Sequence, residues 1–405
     1  MSLLYRRVLA LYSLCALLFL AVLVLGDGQD IGQIFVKPLD DSLSILGNGR
    51  TPTASLETTK VYTFLPYWNV DDRDYNTNNV TDISYFGLNV DAKGRIVTND
   101  GNYQRWRNNK DLSKLLANMK KAGKNLSFTL ICHVDTDLDA VLSCESCWPS
   151  LAKDVEKELK WAGIRDINVD FEYAGYTTPE NAQSYSKLVG YLNSYLDTAL
   201  GKSFVVVSTY ADAVEKSERS DVRLTDPKTL AQNADALFVM AYDFHGPTSA
   251  NAGPVSPLEG AYSTTKLNLT TMLKSYLDVV PASKLILGLP FYGYDWVVED
   301  TLPMSTRIEG NDYIGYSKVR TYAEVTNLLI DKRLTPKWDD VAKTPYVNYV
   351  DEETGSLRQI YYDNKESLGY KIALAWKDQL LGVGSWALGY EGGYADLWGA
   401  FKPQL

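Results

Sequence analysis

Eight short apolar runs, separated by amphipathic stretches, constrain the fold of this chain more than any other feature. They are Val61–Trp68, Ile83–Val90, Leu126–His133, Ile167–Glu172, Phe204–Tyr210, Leu237–Phe244, Leu285–Tyr292 and Val383–Leu388. Runs of this length, bounded by turn residues, read as strands buried on both faces. Helical patterns fall between them, at Asp111–Ala122, Leu151–Ala162, Pro179–Leu200, the short Leu230–Asn233, and Leu267–Val280. Strands that alternate with helices form a parallel sheet, because each connection must cross back over a sheet face. Eight such strands over about 345 residues point to an α/β fold closed as a single (β/α)8 TIM barrel. An open doubly wound sheet is the alternative, but no glycine-rich fingerprint follows the first run.

The spacing is broken once, where about 90 residues separate Asp295 from Gly382. Strand-like runs at Tyr346–Val350 and Leu357–Tyr362 suggest a small α+β insertion between strands 7 and 8, over about residues 297–365. On a barrel it would grow from a loop at the C-terminal face and wall one side of a cleft.

Ahead of the barrel, Arg6-Arg7 precede 18 uncharged, mostly apolar residues from Val8 to Leu25. That run exceeds the core of a usual signal peptide, at roughly 7–15 residues, and lacks a clear small-x-small cleavage site. An N-terminal hydrophobic anchor over 1–27, uncleaved, is therefore favoured over a cleaved signal peptide. The basic flank comes first, which places the rest of the chain outside the cytoplasm. Residues 28–57 show no sustained period and read as a linker, leaving 58–405 as the barrel.

A net charge of −10 offers nucleic acid no basic surface and would repel anionic lipid headgroups. The expected attachment to a membrane is thus the N-terminal segment alone. Only two histidines are present, His133 and His245, which argues against a histidine-based metal centre. Cys15 lies in the hydrophobic run, and Cys132, Cys144 and Cys147 remain. Without a second C-x-x-C pair there is no zinc ribbon, so one local disulfide with a spare thiol, or three thiols, is expected. Neither cofactor nor metal is expected, and a chain of one barrel is expected to act as a monomer.

The fourth run is chemically unusual. In Asp166-Ile167-Asn168-Val169-Asp170-Phe171-Glu172, polar and apolar residues alternate strictly, so an amide and two acids share one face of the strand. Asp and Glu are poor strand formers, and stacked carboxylates repel each other, so the arrangement needs a reason. Functional residues of a barrel lie where its strands end at the C-terminal face. Those ends supply Tyr67-Trp68, Asp170 and Glu172, Met240 to Asp243, Tyr292, and Trp386. Acids over aromatic rings suit a sugar, with carboxyls at the glycosidic oxygen and rings stacked on the pyranose. The 28 tyrosines and 9 tryptophans could also simply be core, yet their joint placement at strand ends favours a binding role.

These residues resemble the motifs of the family 18 glycoside hydrolases, which include chitinases, endo-β-N-acetylglucosaminidases and peptidoglycan-cleaving glucosaminidases. The family's D-G-x-D-x-D-x-E is similar to Arg165–Glu172, its M-x-Y-D to Met240–Asp243, and its G-L-P-x-Y-G to Gly288–Gly293. Trp386 matches the tryptophan of its eighth strand, and Tyr362-Asp363 the pair that closes its insertion. The resemblance implies retaining, substrate-assisted cleavage of a GlcNAc-containing polysaccharide. Glu172 would be the proton donor, and Asp170 would support the 2-acetamido group as it attacks. Tyr242 would hold the acetamido oxygen, Asp243 would support Tyr242 or the sugar, and Trp386 would floor the cleaved subsite. Asn168, Tyr67, Met240 and Tyr292 complete the expected substrate-binding set.

Three positions depart from the pattern. Arg165, Asp166 and Asn168 stand where the family has Asp, Gly and Asp. An amide at 168 cannot share a proton with Asp170, but it is expected to donate a hydrogen bond to it. The spacing N-x-D-F-E resembles the spore-cortex and cell-wall branch, and the third run lacks the small-residue ending common in chitinases. A catalytically inactive chitinase-like carbohydrate-binding protein is the competing expectation; retention of both Asp170 and Glu172 favours the enzyme.

Overall fold

The computed structural model describes residues 59–70, 75–214, 222–260 and 267–401. The expected anchor, 1–27, and linker, 28–57, lie outside the described residues. Seven strands lead the chain: β1 Lys60–Pro66, β2 Asp82–Asn89, β3 Asn125–Cys132, β4 Asp166–Phe171, β5 Val205–Tyr210, β6 Ala236–Met240 and β7 Leu285–Pro290. Five more follow, β8 Tyr292–Val297, β9 Lys318–Thr321, β10 Lys337–Asp339, β11 Thr344–Val350 and β12 Leu357–Tyr362, before the last, β13 Gly382–Trp386. Strands β1 to β7 and β13 close into a barrel in the order β1-β13-β7-β6-β5-β4-β3-β2, every pair parallel.

Period-2 alternation sorts the barrel's side chains. Leu237 and Val239 of β6 pack into the layer beneath the helices, whereas Ala236, Phe238 and Met240 fill the interior with Tyr62, Phe64, Val206 and Ile286. Phe238 is too large for a symmetrical layer, and glycines make room for it. A Cβ at Gly288 or Gly384 would sit 2.4 or 2.5 Å from its ring. Outside, the helix Trp148–Ala162 buries Leu151, Val155 and Leu159 at four-residue spacing, has Pro149 in its first turn, and stops at Gly163 with φ of 63°.

Strands β6 and β7 end short of their expected runs for reasons visible in the chain. The sixth was drawn through Phe244, but β6 stops at Met240, because the chain turns sharply at Asp243, whose φ is 60°. The seventh was drawn through Tyr292, but β7 stops at Pro290 and Tyr292 opens β8. The insertion therefore begins near residue 292. It is a five-stranded antiparallel sheet in the order β10-β11-β12-β8-β9, with the helix Tyr322–Asp331 after β9. Fully buried Asp295 binds it together, accepting from Arg358 Nε at 2.7 Å, Tyr349 Oη at 2.8 Å and Arg320 Nε at 3.1 Å.

Cys144 and Cys147 form a disulfide, and Cys132 is a buried free thiol. Among the described residues, no helix is long and apolar enough to cross a membrane.

At the N-terminal end of the barrel, Asp166 opens β4. Burial lifts its carboxyl to about 6, Asp82 adds repulsion, and the Phe204 N–H, Lys60 and Arg165 oppose the rise. The raised value means that ionising Asp166 costs folding free energy, a cost absent below pH 4 and complete once pH passes 6. Asn in its place keeps an oxygen for the Phe204 N–H, now 3.0 Å away. Asp166→Asn is therefore expected to stabilise the protein by about 1–2 kcal/mol at pH 7.5 and by nothing at pH 3.5. Urea unfolding at the two pH values measures this, and equal effects at both would refute it.

Candidate active site

All eight barrel strands run the same way, and a cavity of about 1190 Å3 opens where they end. That exceeds the roughly 300–1,000 Å3 of sites for single small ligands. Trp386 forms its floor, 4.7 Å from the ring of Phe86 and 5.6 Å from that of Phe64, with Trp68 at 6.1 Å beside it. Trp68 is 47% exposed at the rim, which leaves an indole face free to meet a ligand. Tyr67, Met240, Tyr242 and Tyr292 also line the cavity.

Strand β4 delivers the acids. Its apolar side chains turn outward, and Asp170 turns inward, buried at 3% exposure. Glu172 is the first residue past the strand, anchored by its N–H on the Cys132 carbonyl at 3.0 Å. Burial first, then the charges of Asp170 and Asp243, lift the Glu172 carboxyl to about 7 against the opposing charges of His133 and Arg223. A carboxyl that keeps its proton near neutral pH beside a second carboxyl is equipped to act as a general acid.

Asn168 does not behave as expected. It is fully buried, is absent from the cavity wall, and makes no hydrogen bond to Asp170. Its Oδ1 accepts from Ser208 Oγ at 3.1 Å, while its Nδ2 and Asp170 Oδ1 are both buried without a partner among the described residues. Residues 168 and 170 share a face of the strand, but the Asn168 amide is engaged by Ser208 of the neighbouring β5 instead.

The partner of Asp170 comes from the neighbouring strand instead. His133 Nε2 lies 3.2 Å from Asp170 Oδ2, 3.1 Å from the Asp170 carbonyl and 3.6 Å from Glu172 Oε1. Burial alone would lower the imidazole's pKa, but the hydrogen bond and charge of Asp170, with the charge of Glu172, raise it overall. Strand register could have found this residue, since Ile131 pairs with Asp170 and Cys132 with Phe171, so His133 comes next to Glu172. Among the described residues, His133, Asp170 and Glu172 are the group that could hold a metal ion, with ligand atoms within 4.8 Å of one another.

Asp243 stands opposite in a left-handed backbone conformation that is costly for a residue with a Cβ and is found mostly at functional sites. Its Oδ1 accepts from Tyr292 Oη at 2.5 Å and Tyr294 Oη at 2.9 Å. The protein around the cleft raises its carboxyl, and the two hydroxyls offset part of the rise. Tyr294 belongs to β8, which the sequence did not reveal. The far wall was also missed. There Arg223 is clamped to Asp212 at 2.5 Å and faces the rings of Tyr176 and Tyr210 at 4.6 and 5.0 Å.

Comparison with known proteins extends the description. Probable di-N-acetylchitobiase 1 of Dictyostelium discoideum is 30% identical over 241 residues, covering 54% of this chain and 61% of that protein. Chitinase A1 of Niallia circulans is 26% identical over 278 residues, covering 62% of this chain and 38% of that protein. The chain thus matches less than two thirds of the length of either relative. The crystal structure of the Ostrinia furnacalis Group IV chitinase in complex with allosamidin superposes with a TM-score of 0.71 at 20% identity, covering 85% of this chain and 97% of that one. The Bacillus megaterium QM B1551 spore cortex-lytic enzyme superposes with a TM-score of 0.63 at 18% identity, covering 82% and 71%. At such identities the superpositions speak for the fold, a closed eight-stranded barrel. A family model reaches further, matching from the first barrel strand past Trp386, residues 60–391, and on that match the chain belongs to the glycosyl hydrolases of family 18.

Proposed function

We propose that the protein hydrolyses β-1,4-linked N-acetylglucosaminides, in peptidoglycan or a chitin-like polymer, by a retaining, substrate-assisted route. The observation that carries this is Glu172, a carboxyl lifted to about 7 at the mouth of a deep aromatic-floored cavity, with Asp170 two residues before it on the same strand. Glu172 gives its proton to the glycosidic oxygen as that bond breaks. The substrate's own acetamido oxygen bonds to the anomeric carbon, and Asp170 accepts from the acetamido N–H as positive charge develops there. Water, deprotonated by Glu172, then opens the oxazolinium ring and leaves the anomeric configuration retained. Tyr242 bonds the acetamido oxygen and Trp386 stacks on the sugar. The names of the two relatives, a chitobiase and a chitinase, support a chitin-like glycan, and the Asn168 to Glu172 spacing supports peptidoglycan.

Three substrates separate the outcomes for the full-length chain: peptidoglycan, chitooligosaccharides, and the same oligomers fully de-N-acetylated. Release of reducing ends from one or both N-acetylated glycans, with the β-anomer formed first by NMR, is expected. No release is expected from glucosamine oligomers, which lack the internal nucleophile. Equal turnover of the deacetylated oligomers would sink the mechanism, and binding without turnover would make the protein a carbohydrate-binding relative. We further place the barrel outside the cytoplasm, acting as a monomer tethered by residues 1–27. The Cys144–Cys147 disulfide supports an oxidising compartment. Protease digestion of intact cells tests this: a barrel protected until lysis would contradict it.

A further inference from the structure

Asp170 has a single hydrogen-bonding partner for its carboxylate among the described residues, and that partner comes from another strand. His133 Nε2 meets Oδ2 at 3.2 Å, whereas Oδ1 is buried and unpartnered. Nε2 also lies 3.1 Å from the Asp170 carbonyl. A bare nitrogen lone pair facing two oxygens would be repelled by both, so Nε2 bears the proton, whichever state Nδ1 adopts. The strand's own neighbour is no help, because the Asn168 amide makes no bond to Asp170 and its Oδ1 is occupied by Ser208.

We propose that His133 is a positioning residue for the reaction inferred above: its Nε2–H holds the Asp170 carboxylate turned toward Glu172, the role that a third carboxyl at position 168 cannot fill here. The proposal rests on Glu172 and Asp170 being the reacting pair. Its chemistry balances without any group beyond those named, since His133 exchanges no bond with substrate and only orients an acceptor.

A consequence follows for pH. The charged groups facing the imidazole are Asp170 and Glu172, both from the β4 end, while β2 offers the uncharged ring of Phe86 at 6.4 Å. Glu172 in turn feels Asp243 and Arg223. His133 Nε2 and Glu172 Oε1 lie 3.6 Å apart, so the alkaline limb of the rate profile belongs to this pair and not to Glu172 alone.

The test measures kcat and KM on chitotetraose across pH 4–9 for the full-length chain, with His133→Ala and His133→Gln. His133→Ala is expected to lower kcat about 10- to 100-fold with KM within about threefold, because the orientation is needed only as charge develops. Gln places an amide N–H where Nε2 was, so His133→Gln should recover most of kcat at the optimum and change the alkaline limb, having no proton to lose. His133→Ala within twofold of the parent at every pH would overturn the proposal. So would His133→Gln as poor as His133→Ala, which would mean that the ring merely packs against Phe86. A second arm needs no turnover. The chain has two histidines, so in untagged protein the imidazole carbons of His133 and His245 can be followed separately by NMR. His133 should titrate above free histidine, and Asp170→Asn should bring its midpoint down; an unmoved midpoint would overturn the contact. Should no N-acetylated glycan be cleaved, the proposed function fails while this arm still decides the contact.

Discussion

Glu172→Gln is expected to lower kcat by about 10²–10⁴-fold on any glycan that the parent cleaves, the range that a single positioned general acid contributes. Gln keeps the shape and can still lie beside His133, so the loss should fall on kcat with KM little changed. In the parent, Glu172 must hold its proton to act, and its carboxyl is lifted to about 7. Activity should therefore be high below that pH and fall as pH rises through it. Folding stability follows the same sign. A carboxyl whose folded pKa lies above its ordinary value disfavours the folded state once it ionises, so the cost is absent at pH 4 and present at pH 8. Glu172→Gln should accordingly melt at the same temperature as the parent at pH 4 and higher at pH 8. A variant that is inactive and more stable has lost chemistry and not structure; retention of more than a tenth of the parent's kcat would remove Glu172 from the proposed role.

The sequence made the barrel legible because its strands are buried on both faces. Such strands appear as continuous apolar runs, and seven of the eight expected runs match the observed strands to within two residues at either end. Where the pattern misled, chemistry specific to a turn had taken over. Met240-Ala241-Tyr242-Asp243 is apolar enough to extend a strand, but Asp243 with φ of 60° breaks it. Pro290-Phe291-Tyr292 hides a change from a parallel barrel strand to an antiparallel sheet, because both sides of the junction are equally buried. Helices such as Lys365–Lys377 were invisible for the complementary reason: the buried face includes Ser367 and Lys371, which spoil the apolar stripe.

The candidate site was legible along each strand and opaque across strands. Asp170 and Trp386 could be placed because each lies on a strand, and Glu172 and Tyr242 because each follows the end of one. His133 could not, since its meaning lies in register with β4, and register depends on how the barrel closes. The amide at Asn168 shows the limit of the same logic, since sharing a face with Asp170 did not give a hydrogen bond.

Asp363→Ala should cost about 3–5 kcal/mol of stability at pH 7, the penalty for leaving a buried charge without its partner. Tyr362-Asp363 resembles a family motif at the close of the insertion; Asp363 is not among the residues that line the cavity, and its carboxylate pairs with Lys371. Both side chains have no exposed surface. Asp363 Oδ1 also accepts from Ser367 Oγ at 2.6 Å and Thr344 Oγ1 at 3.3 Å, tying β11 to the first turn of the helix Lys365–Lys377. Burial depresses the Lys371 ammonium and Asp363 opposes that depression, so in Asp363→Ala nothing is left to hold the proton. The sign then fixes a pH dependence. A lysine with a depressed folded pKa favours the folded state only when neutral, so the deficit of Asp363→Ala should shrink as pH is raised from 7 to 10. Replacing both residues with apolar ones, Asp363→Leu with Lys371→Met, removes the stranded charge and should recover much of the loss. The helix leads directly into β13, which closes the barrel between β1 and β7 and ends in Trp386. Damage at this ion pair should thus spread to the cavity floor, lowering the unfolding midpoint and loosening ligand binding together. Urea unfolding of the two variants at pH 7 and 10 decides the matter, and a loss below about 1 kcal/mol for Asp363→Ala would show that the pair contributes little to closing the barrel.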